Sequence, residues 1–167
     1  MIMKAKLIVE GKEFDIEIFD PELQKIVKPK HTGYEKTKEY WTDVSGTGGG
    51  SKSVAIGASF EQALYDAANY YSDKTVCVNN ARADKLMRNL RRFAVEHRKE
   101  KLDWSDDNQN KYTINFDHDD STFDIDYWVS ISEFGALFFD SQETAQLAID
   151  TFRDELIWYF TEYKDSL

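Results

Sequence analysis

A chain of 167 residues that is 41% hydrophobic and 14% aromatic has enough apolar surface for one core, and two prolines and one glycine cluster leave little for a long interdomain linker. Four tryptophans and many Tyr and Phe exclude a disordered chain, despite low mean hydropathy. The net charge of −10 is uneven: residues 1–81 carry 10 Lys and Arg against 12 Asp and Glu (−2), residues 82–101 carry 8 against 3 (+5), and residues 102–167 carry 3 against 16 (−13).

The opening "KAKLIVEGKEFDIEIFD" predicts a hairpin. Leu7 and Val9 alternate with polar neighbours, Gly11-Lys12 is the expected two-residue turn, and Phe14, Ile16 and Ile18 resume the alternation. Pro21 is expected to open a short helix, "PELQKIV", that Pro29 ends. "GYEKTKEYWTDV" has the Tyr, Thr and Trp content of a strand. Ser59 with Gln62 has the spacing of a capping box for "FEQALYDAANYY". The longest helix is predicted from Asp73 to about Lys99, capped by Ser72, because Ala83, Leu86, Met87, Leu90, Phe93 and Ala94 recur at helical spacing. Three strand candidates follow, "KYTINFD", "TFDIDYWVSI" and "GALFF". A last helix is expected with Ser141 as N-cap.

Clustered strands without strand–helix alternation favour an α+β fold, with antiparallel sheet elements packed against one long central helix and a long C-terminal helix. A single domain over 1–167 is expected. It divides into an N-terminal hairpin region (1–44), a glycine-rich loop (45–53), a helical region (59–100) and a C-terminal β-hairpin and helix region (111–167). With no charged-then-apolar leader and no long apolar run, the chain reads as neither secreted nor membrane-spanning. The lone Cys77 cannot close an internal disulfide and suits a reducing cytosol.

"SGTGGGSKSV" comes near the phosphate-loop signature G-x-x-x-x-G-K-[ST], but Ser51 stands where that loop needs its second glycine. The segment before it, Lys38 to Val44, alternates in polarity, whereas a phosphate-loop strand is continuously apolar. Gly57 also spoils the first helical turn that should follow. The loop therefore reads as a hairpin connection. "ALFFD" imitates a second nucleotide motif, yet Asp140 is better explained as the residue before a capped helix.

Asp106, Asn108, Asn110 and Asp117 can be laid on a calcium-loop pattern, but Lys111 occupies the sharp-turn position that requires Gly. His31, His97 and His118 have no metal spacing, and Cys77 has no second thiol and no adjacent activator. No cofactor, metal or catalytic residue is therefore assigned, and a non-enzymatic role is expected.

Charge is the remaining signal. Lys85, Arg88 and Arg92 fall at i, i+3 and i+7 with Arg91 beside them, a candidate anion-binding face. The plainer alternative is a solvated face whose arginines pair with the acidic remainder. In "DHDDSTFDID", Asp117, Asp119, Asp120, Asp124 and Asp126 are placed on two strands and their turn. Asp124 and Asp126 share one strand face, with Phe123, Ile125 and Tyr127 on the other. Carboxylates ~6–7 Å apart along a strand match the spacing of phosphates on a nucleic-acid strand, so this face can occupy a basic groove. Ordinary solubility is the competing use of such residues.

Two stretches, "ANYYSDKTVCVNNARADKLMRNLRRFAVEHRKEKLDW" and "FDSQETAQLAIDTFRDELIWYFTEY", together with "MKAKLIVEGKEFDIEI" and "TGYE", resemble a group of small proteins encoded by phages and prophages of Gram-positive bacteria. The likeness covers most of residues 3–43 and 60–167. It implies a viral or mobile-element protein acting in the bacterial host cytoplasm and transfers no functional residue. With the acidic segment, it leads to an expected accessory protein of anti-CRISPR type. Such a protein would be an acidic nucleic-acid mimic that inhibits a host defence protein through a basic nucleic-acid groove, with Tyr127 or Trp128 as anchors and no membrane partner. The alternatives are a sequestering protein for a small nucleotide immune signal and a nucleic-acid-binding replication factor.

Overall fold

The computed structural model describes residues 33–43, 46–57 and 59–163 in full, and residues 3–9 and 12–18 as backbone. Among them the architecture is α+β: three antiparallel two-stranded sheets and three α-helices, two of them long. Strands β1 (Met3–Val9) and β2 (Lys12–Ile18) pair with Met3 opposite Ile18 and Val9 opposite Lys12. Lys12 is therefore a strand residue paired with Val9 and not a turn residue as expected, while Gly11 lies outside the described residues. The expected helix at Pro21, its stop at Pro29, and His31 lie outside the described residues.

Strands β3 (Glu39–Thr42) and β4 (Ser51–Val54) form the second hairpin, with the glycine-rich segment as their connection. Tyr71 extends this sheet by a single bridge to Trp41, with backbone N–H···O distances of 2.7 and 2.9 Å. Tyr40, buried, stacks on Tyr70 at 4.2 Å. Helix α1 (Ser59–Asp66) is shorter than expected, because Tyr70 and Tyr71 are drawn into this cluster and bridge. The capping box is also corrected. Gln62 accepts from Lys36 Nζ and donates to Asp66, while the carboxylate of Glu61 reaches back to accept from the Ile56 and Gly57 N–H groups.

Helix α2 (Lys74–His97) is capped by Asp73, whose carboxylate accepts from the Thr75 and Val76 N–H groups. Ser72, the expected cap, donates to Glu35 instead. Along α2, Leu86, Leu90 and Phe93 meet Phe139, Ala145, Ala148, Ile149 and Leu156 in the main core, as the 3.6-residue spacing requires. Each fully buried aliphatic side chain there contributes about 1.5–3 kcal/mol.

Strands β5 (Lys111–Asp117) and β6 (Thr122–Trp128) form the third hairpin, and Tyr112, Ile114, Phe123 and Ile125 pack on that core. The third expected strand, "GALFF", reduces to one bridge between Phe139 and Tyr112. Helix α3 (Gln142–Trp158) starts at Ser141, whose hydroxyl accepts from Thr144 N–H at 3.1 Å. Phe152 (φ −114°, ψ 20°) interrupts its regular geometry and meets Phe93 edge-on at 5.5 Å. A π-helical turn, Tyr159–Tyr163, follows and is tied to α2 by the Tyr163 hydroxyl donating to Asn80 Oδ1. No helix among the described residues is long and apolar enough to cross a membrane.

Candidate functional site: an acidic hairpin and a clamped glycine loop

Period-2 alternation sorts the side chains of β6, although Thr113 and Lys111, which share the Asp126 and Trp128 face from β5, are buried. Phe123 and Ile125 lean on the core, and Asp124 and Asp126 stand on the exposed side. In the turn, Asp117 accepts from the Asp119 and Asp120 N–H groups at 2.8 and 3.2 Å, an Asx turn that holds both following carboxylates out to solvent. Asp126 accepts from Asn115 Nδ2 at 2.7 Å across the sheet. Among the described residues no ion pair reaches any of the five aspartates. Arg153 of α3 lies over the Phe123 ring at 5.7 Å, against a core-facing residue of the hairpin. Tyr127, expected on the inward face, is 57% exposed although its cross-strand neighbour Tyr112 packs on the core; Trp128 is half-buried.

The basic helix is occupied differently. Arg82 donates to Glu155 through Nε at 2.8 Å and Nη2 at 3.2 Å, and its guanidinium lies 3.8 Å from the centre of the Trp158 ring. Arg88 donates to the Gly46 carbonyl at 2.6 Å, and Arg92 lies 3.9 Å from Glu96. Lys85 and Arg91 are exposed. The four candidate anion ligands therefore do not converge. Lys85 and Arg88 meet the glycine loop, while Arg92 pairs one helical turn along α2.

That contact explains the glycine cluster. A Cβ at Gly50 would sit 3.0 Å from Cys77 Sγ, and one at Gly48 3.2 Å from Lys85 Cδ, while Gly46 lies against Arg88. Alternate glycines thus follow successive turns of α2; an added Cβ would crowd the helix at Gly48 and Gly50, whereas at Gly46 it would make ordinary contact. Gly48, at φ +91°, also uses the left-handed region that glycine tolerates. A strand follows the loop where a phosphate loop needs a helix, and Lys52 pairs with Glu39 at 2.7 Å.

The calcium-loop pattern is filled from within. Lys111 is fully buried, donates to the Asp106 carbonyl at 2.9 Å and lies 5.5 Å from the Trp104 ring centre. Hydrogen bonds from Ser105 hold the Asp103 carboxyl below its usual range. No group of three or more His, Cys, Asp or Glu is arranged for a metal among the described residues. His97 stacks on Phe93 at 3.9 Å, and His118 meets Phe116 edge-on. Burial, with a smaller contribution from the charge of Asp43, pushes the Cys77 thiol up to about 11, opposite to what a nucleophile needs. Asp140 accepts from the Lys99 and Glu100 N–H groups, joining the segment after α2 to the start of α3.

Sequence reasoning missed an apolar groove of about 430 Å³ beside β5, walled by Leu86, Leu90, Ile114, Leu137 and Phe160. Glu133 to Ala136 rim it, and Phe134 in that rim is fully exposed. Asn115 lines the groove and also holds Asp126, so the groove borders the acidic face. The run Ile131 to Gly135 is exposed throughout, and its residues had no local pattern that marked the groove. Comparison with protein-family models, curated proteins and solved structures finds no match to this chain.

Proposed function

We propose that this is a phage-type accessory protein that inhibits a host defence component by laying its acidic hairpin in a basic nucleic-acid groove. The observation that carries this reading is the absence, among the described residues, of any ion pair on the hairpin's five aspartates, although a +5 segment lies in the same chain. Those carboxylates supply long-range steering, a rate effect that falls with salt. Tyr127, Ile131 and Phe134, all more than half exposed, supply apolar anchoring beside them. The resemblance to phage and prophage proteins supports the same reading, and an anti-CRISPR role is its most specific form. The replication-factor reading is weaker, because Arg82, Arg88 and Arg92 already have partners within the chain.

The test is a DNA-binding assay with a CRISPR effector from a Gram-positive host. Added protein should displace labelled target duplex, more weakly as salt rises. The variant D119K/D120K/D124K/D126K should fold and lose the effect. Equal inhibition by that variant would remove mimicry as the mechanism.

A further inference from the structure

A second cavity, of about 350 Å³, lies where the glycine loop, α2 and α3 meet, lined by Thr47, Gly48, Arg82, Lys85, Asn89 and Glu155, among others. Arg82, Lys85 and Asn89 fall at i, i+3 and i+7, so one face of α2 lines the same space with two cationic side chains and one amide side chain. We propose that this cavity is a binding site for a small phosphorylated molecule, a role separate from that of the acidic hairpin.

The chemistry follows from the donors. A guanidinium carries five N–H groups. Glu155 takes two from Arg82, and Trp158 fixes the plane, so three donors remain on a cation that is already oriented. Lys85 runs its stem along Gly48 and has no ion pair among the described residues. Two cations, Arg82 and Lys85, line the cavity with one carboxylate, Glu155, so the local balance favours an anion. Leu86 and Phe152 add an apolar wall for the body that carries the phosphate. Arg88, by holding the Gly46 carbonyl, and Gly50, by packing on Cys77, fasten both ends of the loop that roofs the site. A pre-formed roof lowers the ordering cost of binding.

The test is calorimetric titration of the full chain with pyrophosphate and then ADP. Saturable binding of one equivalent is expected. Lys85→Met keeps the stem on Gly48 and removes the charge, and should weaken binding about 10-fold or more with an unchanged melting temperature. Asn89→Leu, which replaces the amide with an apolar side chain of similar size, should do the same. The quadruple aspartate variant should bind pyrophosphate as the parent does, which separates this site from the hairpin. No heat at millimolar pyrophosphate, unchanged affinity in folded Lys85→Met, or tighter binding of a single-stranded DNA 12-mer than of ADP would each overturn the proposal.

Discussion

The β5–β6 hairpin and helix α2 both carry dense charge, yet they use it in opposite ways. On α2, Arg82 is stacked and paired, Arg88 is tied to a backbone carbonyl and Arg92 pairs locally, so much of its charge serves the fold. On the hairpin the aspartates take hydrogen bonds from their own turn and from Asn115, but no cation among the described residues. The charge buried at its base is positive, that of Lys111. A basic segment and an acidic segment in one chain therefore need not cancel; long guanidinium side chains found nearer partners on α3 and in the glycine loop. The difference separates charges that stabilise from charges left for a partner.

The contrast can be broken most directly at Lys111. Lys111→Ala should lower stability by about 2–4 kcal/mol in urea unfolding, from lost packing and an orphaned Asp106 carbonyl. Lys111→Met, of similar volume, should recover part of that. A loss under about 0.5 kcal/mol would show that the hairpin's buried cation does nothing for the fold. Next in size is Arg82→Ala, expected to remove about 1–2 kcal/mol by losing both the Glu155 pair and the Trp158 stack, with the half-exposed pair itself a minor share. Glu155→Gln should lose less than half as much, because the stack persists.

The pH dependence comes third. Burial pushes Cys77 from 9.0 to about 11, and it pushes Tyr71 from 10.0 to about 12 against an opposing hydrogen bond from Asn80. Both folded values are raised, so the unfolded chain releases these protons first. The contribution is intact below about pH 9 and is lost as pH climbs toward 12. Urea midpoints should fall across that window, and Cys77→Ala should flatten the first part of the decline. Iodoacetamide at pH 8 should label Cys77 only as fast as the chain opens. The smallest effect sharpens the comparison: Asp119→Asn and Asp124→Asn should change stability by no more than about 0.5 kcal/mol, whatever they do to partner binding.

The long helices are legible in the sequence because Leu86, Leu90 and Phe93 repeat with the helical period, and Ser141 is readable as a cap because its hydroxyl acts on the next turn. The strand period alone places Asp124 and Asp126 on one face. Local pattern misleads where distant partners decide the outcome. Ser72 loses the cap to Asp73 because Glu35 claims its hydroxyl, and Tyr71 leaves the helix for Trp41. "GALFF" keeps one bridge because only Phe139 reaches Tyr112. Phe134 and its groove, and the meeting of Arg82, Lys85 and Asn89 with the glycine loop, involve residues far apart in the chain.

By itself, then, the order of residues determined the two long helices, the face alternation of β6 and how charge is distributed along the chain, since these are set by neighbours within a few positions. Tertiary structure alone decided which charges pair, why the glycines are needed and where the cavities lie. Those depend on side chains brought together from dozens of residues away, and no local periodicity encodes that approach.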